Sequence, residues 1–146
     1  MLASDLIQAS ASHLIYDIIE AYHNKDADAF MRVMARNLPI LSIGTNQDEY
    51  TTDIEALEAL LHRDMEQSGA VRCKVRELTC AEHGDAAWMG AIIDTEVDVP
   101  GGIWKVEGRF TVTAIRMDGA WKAVQTHFSV PQAGAVEGFS FGPANS

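Results

Sequence analysis

The spacing of hydrophobic residues changes once along the chain, near Gly69. Before this point apolar residues recur at three- and four-residue steps, which is the spacing of the buried face of an α-helix. From Val71 onward apolar and polar residues alternate, as they do in strands that bury one face. The pattern therefore predicts an α+β protein in which helices precede a mainly antiparallel sheet.

The helical part carries two start signals before its first proline. Ser4 or Asp5 can cap a first helix, whose apolar positions extend to Tyr22. Asp26 can cap a shorter second helix that contains Phe30. We expect both helices to turn their apolar stripes toward the sheet.

A short strand and a third helix complete the first half of the chain. Pro39 prevents further helix, so the segment from Pro39 to Ile43 is predicted to be a strand. Thr52 and Glu55 have the spacing of a capping box, which predicts the start of a third helix. The helix is expected to end at Ser68-Gly69, where glycine accepts the left-handed conformation.

Three turn signals divide the second half into four strands. They are His83-Gly84-Asp85, Pro100-Gly101-Gly102 and Asp118-Gly119. The predicted strands are Val71–Cys80, Ala86–Val99, Ile103–Met117 and Ala120–Pro131. Short turns between successive strands indicate an antiparallel meander. Long strands of this kind twist and curl, so the three helices can close one concave face.

Alternation assigns side chains to the two faces of this sheet. The apolar residues predicted to face the helices in the last two strands are Phe110, Val112, Ala114, Val124, Phe128 and Val130. The polar residues between them should cover the outer face, where Trp88 adds apolar area. A face of this mixed character can pair with a second copy. We therefore expect a homodimer whose interface contains Trp88, Arg109, Gln125 and His127.

Composition limits the class of protein. A chain of 146 residues has the size of a single domain, and we assign the domain to residues 1–131 and a flexible tail to 132–146. The net charge of −10 argues against nucleic-acid and membrane partners. Cys73 and Cys80 have no disulfide or zinc spacing, which favours reduced thiols in the cytoplasm. The histidines form no metal-binding pattern, so no metal or other cofactor is expected.

The order of elements and the C-terminal motifs resemble a known superfamily. The motifs are Arg109-Phe-Thr-Val-Thr and Asp118-Gly-Ala-Trp-Lys-Ala-Val-Gln-Thr-His-Phe-Ser-Val-Pro131. They resemble the SnoaL-like branch of the nuclear transport factor 2 (NTF2-like) superfamily. They are similar also to the association domain of calcium/calmodulin-dependent protein kinase II. The resemblance implies a cone, with three N-terminal helices packed on a strongly curved sheet around a small-molecule cavity.

The resemblance also indicates the character of the cavity. Two positions where the kinase association domain has cavity arginines are Val112 and Phe128 in this chain. This departure favours an apolar pocket over one that binds carboxylates. The residues expected to contact a ligand are Met89, Ile93, Thr95, Phe110, Val112, Thr126 and Phe128.

Asp64 is the first candidate for chemistry, because the resemblance places this position of the third helix at the cavity. A carboxylate among apolar walls loses hydration, which raises its pKa and allows it to exchange a proton near neutral pH. Tyr16 or Tyr50 could donate a hydrogen bond to a substrate carbonyl. The alternatives are that Asp64 is an exposed helix-edge residue beside Arg63 and that both tyrosines belong to the core.

Two functional hypotheses follow. The first is an isomerase, cyclase or dehydratase that transfers protons on a small apolar carbonyl compound. The second is a non-catalytic domain for ligand binding or oligomerisation. Fold alone does not separate them, because members of one fold perform many functions.

Overall fold

A computed structural model describes residues 10–142 and 144 of the chain. The described residues form three helices, α1 (His13–His23), α2 (Ala27–Val33) and α3 (Ile54–Gln67). The strands are β1 (Leu41–Ile43), β2 (Tyr50–Thr51), β3 (Val71–His83), β4 (Ala86–Val99), β5 (Gly102–Met117) and β6 (Ala120–Ser129). The predicted α+β order of helices before a four-strand meander is confirmed. The predicted start of the first helix at Ser4 or Asp5 lies outside the described residues.

All six strands belong to one sheet, in the order β2-β1-β6-β5-β4-β3. The four long strands pair with their sequence neighbours in antiparallel fashion, as predicted. The short β1 pairs in parallel with β6, placing Ser42 opposite Thr126. The sheet is therefore mixed, and the two-residue β2 at its edge was not predicted from the sequence.

Two of the helices are capped by aspartates. Asp26 caps α2 as predicted, because its side chain accepts a hydrogen bond from the Ala29 amide at 3.0 Å. The cap of α3 is Asp53, whose carboxylate accepts from the Glu55 amide at 3.1 Å. The predicted capping box at Thr52 is therefore wrong by one residue. Asp53 directly precedes the helix, so its carboxylate reaches the free first-turn amide instead.

Two irregularities bend the long strands. In β3 the register shifts between Arg76 and Thr79, where Glu77 has a φ of 55°. In β6 the register shifts at Val124, which has no partner in β5. Such bulges increase the local twist and curvature of a sheet.

One predicted face assignment is wrong because of the bulge in β6. Val124 was expected to point at the helices, but it is the unpaired residue and is half-buried. Trp121 and Ala123 before the bulge are buried, as is Thr126 after it. The extra residue shifts the alternation of inward and outward side chains by one position. One two-residue period therefore does not describe the whole of β6.

The concave face of the sheet and the helices form the core. Phe110, Val112 and Ala114 are buried on this face, as predicted. They pack in one cluster with the apolar stripes of the helices, including Leu14 of α1 and Leu61 of α3. This clustering positions the helices over the concave side of the sheet. None of the described helices has the length and apolar character to cross a membrane.

The segment after β6 contains no helix or strand between residues 132 and 142. Its aromatic residues Phe139 and Phe141 are exposed. Flexibility of residues 132–146, and the assignment of residues 1–131 to one domain, remain predictions.

Candidate functional site

A cavity of about 410 Å³ lies between the helices and the concave face of the sheet. Its wall includes Leu57 and Leu61 of α3 together with Phe110 and Phe128 of the sheet. Val99 and Trp104 also line the cavity and are more than a third exposed, so its opening lies near the β4–β5 turn. A hollow of this size and character suits a small, mostly apolar molecule.

Five of the predicted ligand-binding residues line this cavity. They are Ile93, Thr95, Phe110, Thr126 and Phe128. Met89 and Val112 do not line it. They are paired across β4 and β5 and lie within the packed core. Both residues belong to the packed core, and their contact with a ligand stays a prediction.

Phe128 occupies its place in the cavity because the residue beside it has no side chain. Gly108 faces the helices on β5, and a Cβ atom there would overlap the Phe128 ring. The Phe128 ring also contacts Phe110, with ring centroids 6.2 Å apart. Gly108 therefore allows a large aromatic ring to form part of the cavity wall.

Asp64 lines the cavity from α3, as predicted. Its side chain is 28% exposed, and its Oδ1 lies 3.9 Å from the Arg63 Nε. Burial raises the pKa of Asp64, while the positive charge of Arg63 partly opposes this effect. Asp64 thus lies at a helix edge beside Arg63 and in the cavity at the same time, so the two alternatives drawn from the sequence are not exclusive.

Glu49 is a second carboxylate of the cavity that the sequence analysis missed. It precedes β2, in a loop where the Gly44 amide donates to the Glu49 carbonyl at 2.7 Å. The Glu49 side chain lies over Gly44, where a Cβ atom would collide with it. Burial raises the pKa of Glu49, and the negative charge of Asp64 raises it further. Gly44 is the only sequence signal that could have indicated this close approach.

One arginine, Arg63, forms ion pairs with three carboxylates beside the cavity. Arg63 donates two hydrogen bonds to Asp48, at 2.5 and 3.1 Å. Its Nη2 lies 3.6 Å from the Glu49 Oε1, which is an ion pair without a hydrogen bond. The Arg63 Nε is buried and has no hydrogen-bond partner among the described residues. Arg63 therefore donates its hydrogen bonds to Asp48, and its charge only partly neutralises Glu49 and Asp64.

The tyrosine of the site is Tyr22, which the sequence analysis assigned to the helix stripe. It lines the cavity from α1 and packs edge-on against Phe30, with centroids 5.7 Å apart. Burial, followed by the charges of Asp64 and Glu49, holds the pKa of Tyr22 far above its usual value. The phenol therefore stays protonated and can donate a hydrogen bond.

Tyr16 and Tyr50, the predicted donors, lie elsewhere. Tyr16 is 40% exposed and Tyr50 is 65% exposed, and neither lines the cavity. Tyr16 is six residues before Tyr22 on the same helix, a separation that turns the two side chains to different faces. The structure does not bring the predicted tyrosines to Asp64.

The predicted interface residues lie on the outer face of the sheet. Trp88 is 54% exposed and lies opposite Thr113, which in turn lies opposite Gln125. The Thr113 hydroxyl donates to the Gln125 Oε1 at 3.2 Å. Arg109 is exposed and His127 is half-buried. Within residues 10–142, no group of three or more acidic, histidine or cysteine side chains is arranged to hold a metal ion.

Helices that cover a curved sheet and leave a lined cavity define the NTF2-like class of fold. A comparison with protein families matches residues 11–133 to the SnoaL-like domain. The chain therefore belongs to the SnoaL-like family, as the sequence resemblance indicated. A comparison with curated proteins found no match.

Solved structures confirm the fold at low sequence identity. An NTF2-like family protein from Streptomyces avermitilis, proposed to be a dehydratase, has a TM-score of 0.77 at 12% identity, covering 90% of this chain and 100% of its own. An NTF2-like protein of unknown function from Pseudomonas putida KT2440 has a TM-score of 0.73 at 20% identity, with coverages of 95% and 98%. A proposed calcium/calmodulin-dependent protein kinase II association domain from Xanthomonas campestris has a TM-score of 0.71 at 16% identity, with coverages of 84% and 86%.

The contact between Gly108 and Phe128 generates a prediction about stability. We expect Gly108→Ala to lower the free energy of unfolding by about 1 kcal/mol or more, because the added methyl displaces the Phe128 ring. In a Phe128→Ala background the same substitution should cost less or stabilise the strand. Urea denaturation of the four proteins measures this coupling. An equal effect of Gly108→Ala in both backgrounds would show that the ring does not occupy the space above Gly108.

Proposed function

We propose that this protein binds a small, mostly apolar molecule in the cavity and that Asp64 transfers a proton on the bound molecule. The observation that carries the proposal is a carboxylate of raised pKa on an otherwise largely apolar cavity wall. A general base or acid is most effective when its pKa lies close to the working pH. Burial shifts Asp64 in this direction.

Tyr22 supplies the second group that such a reaction needs. With a small carbonyl compound in the cavity, the Asp64 carboxylate accepts a proton from the carbon next to the carbonyl. The protonated phenol of Tyr22 donates a hydrogen bond to the carbonyl oxygen, where negative charge develops. Asp64 then returns the proton, to the same carbon or to another position.

Removal of this proton is the step that isomerases, cyclases and dehydratases can share, so we propose proton transfer and not one product. The Streptomyces avermitilis structure, of a protein proposed to be a dehydratase, is compatible with such a role. The alternative is a cavity that binds a ligand without reaction.

Hydrogen exchange tests the catalytic proposal without knowledge of the natural substrate. A panel of small apolar ketones and aldehydes is incubated with the protein in deuterated buffer, and loss of the α-hydrogen signal is followed by NMR. We expect faster exchange for at least one compound, and a decrease of about a hundredfold or more in Asp64→Asn. The matched control is Glu66→Gln, which removes a negative charge from the same helix at an exposed position outside the cavity.

Equal exchange rates for the wild type and Asp64→Asn would contradict the assignment of Asp64. Binding of the compounds by both proteins, with no exchange above the buffer rate, would favour the non-catalytic alternative.

A second candidate function is self-association through the outer face of the sheet. We propose a homodimer in which Trp88, Arg109, Gln125 and His127 contact the second copy. The exposed indole of Trp88 beside the small Gly90 supports this proposal, because a large aromatic side chain next to a gap is typical of an interface anchor. The likeness to the Xanthomonas campestris association domain is compatible with it.

The dimer proposal predicts a change in mass on substitution. Native mass spectrometry at micromolar concentration should show a dimer for the wild type and mainly monomer for Trp88→Glu, because a buried charge would remain unpaired in the interface. Phe141→Glu is the control, since Phe141 is exposed and lies outside the sheet. A monomeric wild type, or an unchanged dimer in Trp88→Glu, would contradict the proposal.

We also propose that the protein is located in the cytoplasm and has no nucleic-acid or membrane partner. Cys73 and Cys80 are both free thiols, which suits a reducing compartment. The net charge of −10 repels phosphate backbones and anionic lipids.

A further inference from the structure

The charged groups of the cavity are of one sign. Among the described residues that line the cavity, Glu49 and Asp64 are the only acidic side chains, and no lysine, arginine or histidine lines it. An anionic ligand would therefore meet two carboxylates that Arg63, from outside the cavity lining, only partly neutralises. This arrangement disfavours carboxylates and phosphates as ligands.

The neighbouring cations, Arg63 and Lys25, do not cancel the negative charge at the cavity. Arg63 donates its hydrogen bonds to Asp48, which lies outside the cavity lining. Lys25 lies near the rim, where its Nζ donates to the Ser68 hydroxyl at 2.5 Å, and burial lowers the pKa of Lys25. The carboxylates near the cavity therefore outnumber the cations that approach them.

Two polar groups in the cavity make no hydrogen bond to the described residues. The Asp64 carboxylate lies 3.9 Å from Arg63 and accepts no hydrogen bond within residues 10–142. The Tyr22 hydroxyl, which burial desolvates, likewise has no hydrogen-bond partner in this part of the chain. Both groups can therefore bind a polar group of a ligand at this end of the cavity.

The remaining wall suits a cation as well as an apolar body. Aromatic side chains line it on several sides. They are Tyr22, Phe30, Trp104, Phe110 and Phe128. The faces of aromatic rings attract cations, and this attraction is strongest where water is excluded. An ammonium group beside Glu49 and Asp64 would gain both interactions, and its apolar part would contact the rings.

We propose that the ligand of this cavity is an organic cation, a protonated amine on a compact apolar body, with its ammonium group held by Glu49 beside Asp64. This inference rests on the proposed function and specifies the charge of its ligand. A carbonyl compound that carries a basic nitrogen satisfies both the proposed proton transfer and the proposed positive charge of the ligand. The ammonium group donates a hydrogen bond to the Glu49 carboxylate and is attracted by the charge of Asp64, while the Tyr22 hydroxyl and the Asp64 carboxylate remain available to the carbonyl end.

Titration calorimetry with three ligands of one shape tests the inference. Naphthylmethylamine, naphthylmethanol and naphthoate share an apolar body and are cationic, neutral and anionic at about pH 7. We expect the amine to bind about tenfold more tightly than the alcohol, because it makes charge-assisted hydrogen bonds. Naphthoate should not bind.

Substitutions separate the site from the general negative charge of the protein. In Glu49→Gln and in Asp64→Asn the preference for the amine over the alcohol should decrease, and in the double variant it should disappear. Glu66→Gln changes the net charge by the same amount outside the cavity and should keep the full preference. Thermal unfolding of each variant verifies that it is folded.

The outcomes distinguish the inference from the proposed function. Equal affinity for amine and alcohol, or tighter binding of naphthoate, would overturn the cation inference and leave ligand binding in place. An amine preference that survives in the double variant would also overturn it. Failure of all three compounds to bind would contradict both the cavity proposal and the inference.

Discussion

The structure depends on one constraint, which is that the concave face of a long curved sheet must be covered although the helices do not fill it completely. Phe110 and Phe128 on the sheet and Leu57 and Leu61 on α3 border the space that remains. The hydrophobic effect holds the helices over the sheet, and the bulge at Val124 helps to curve it. The cavity is a consequence of this geometry, and the chemistry of every group that faces it follows from the loss of water.

Loss of hydration determines the properties of the polar groups in this space. The carboxyls of Glu49 and Asp64 are harder to ionise than exposed carboxyls, and Tyr22 keeps its proton. Arg63 would cancel these effects if it turned fully toward the cavity, but its hydrogen bonds go to Asp48. The proposed proton exchange and the proposed cationic ligand both depend on these desolvated groups, whose burial costs the empty protein some stability.

Much of the fold was predictable because it depends on local periodicity. The inward positions of Phe110 and Val112 and the cap at Asp26 follow from spacing within single elements. The pairing of β1 with β6 was not predictable, since it joins segments far apart in the chain. The site was predicted in part. Asp64 was predicted because the family resemblance places its position of α3 at the cavity. The packing of α1 turns Tyr22 and not Tyr16 toward the cavity, and Glu49 reaches it from an irregular loop that has no periodicity.

The free energy of unfolding as a function of pH tests the central claim most directly. Because their pKa values are raised in the folded protein, Glu49 and Asp64 hold protons there that the unfolded chain releases. Their contribution to stability must therefore fall as pH rises from the usual carboxyl range, about pH 4, to their raised values. Urea denaturation should show the wild type losing stability across this window relative to Glu49→Gln/Asp64→Asn. A constant difference between the two proteins, or one that favours the wild type as pH rises, would contradict the account.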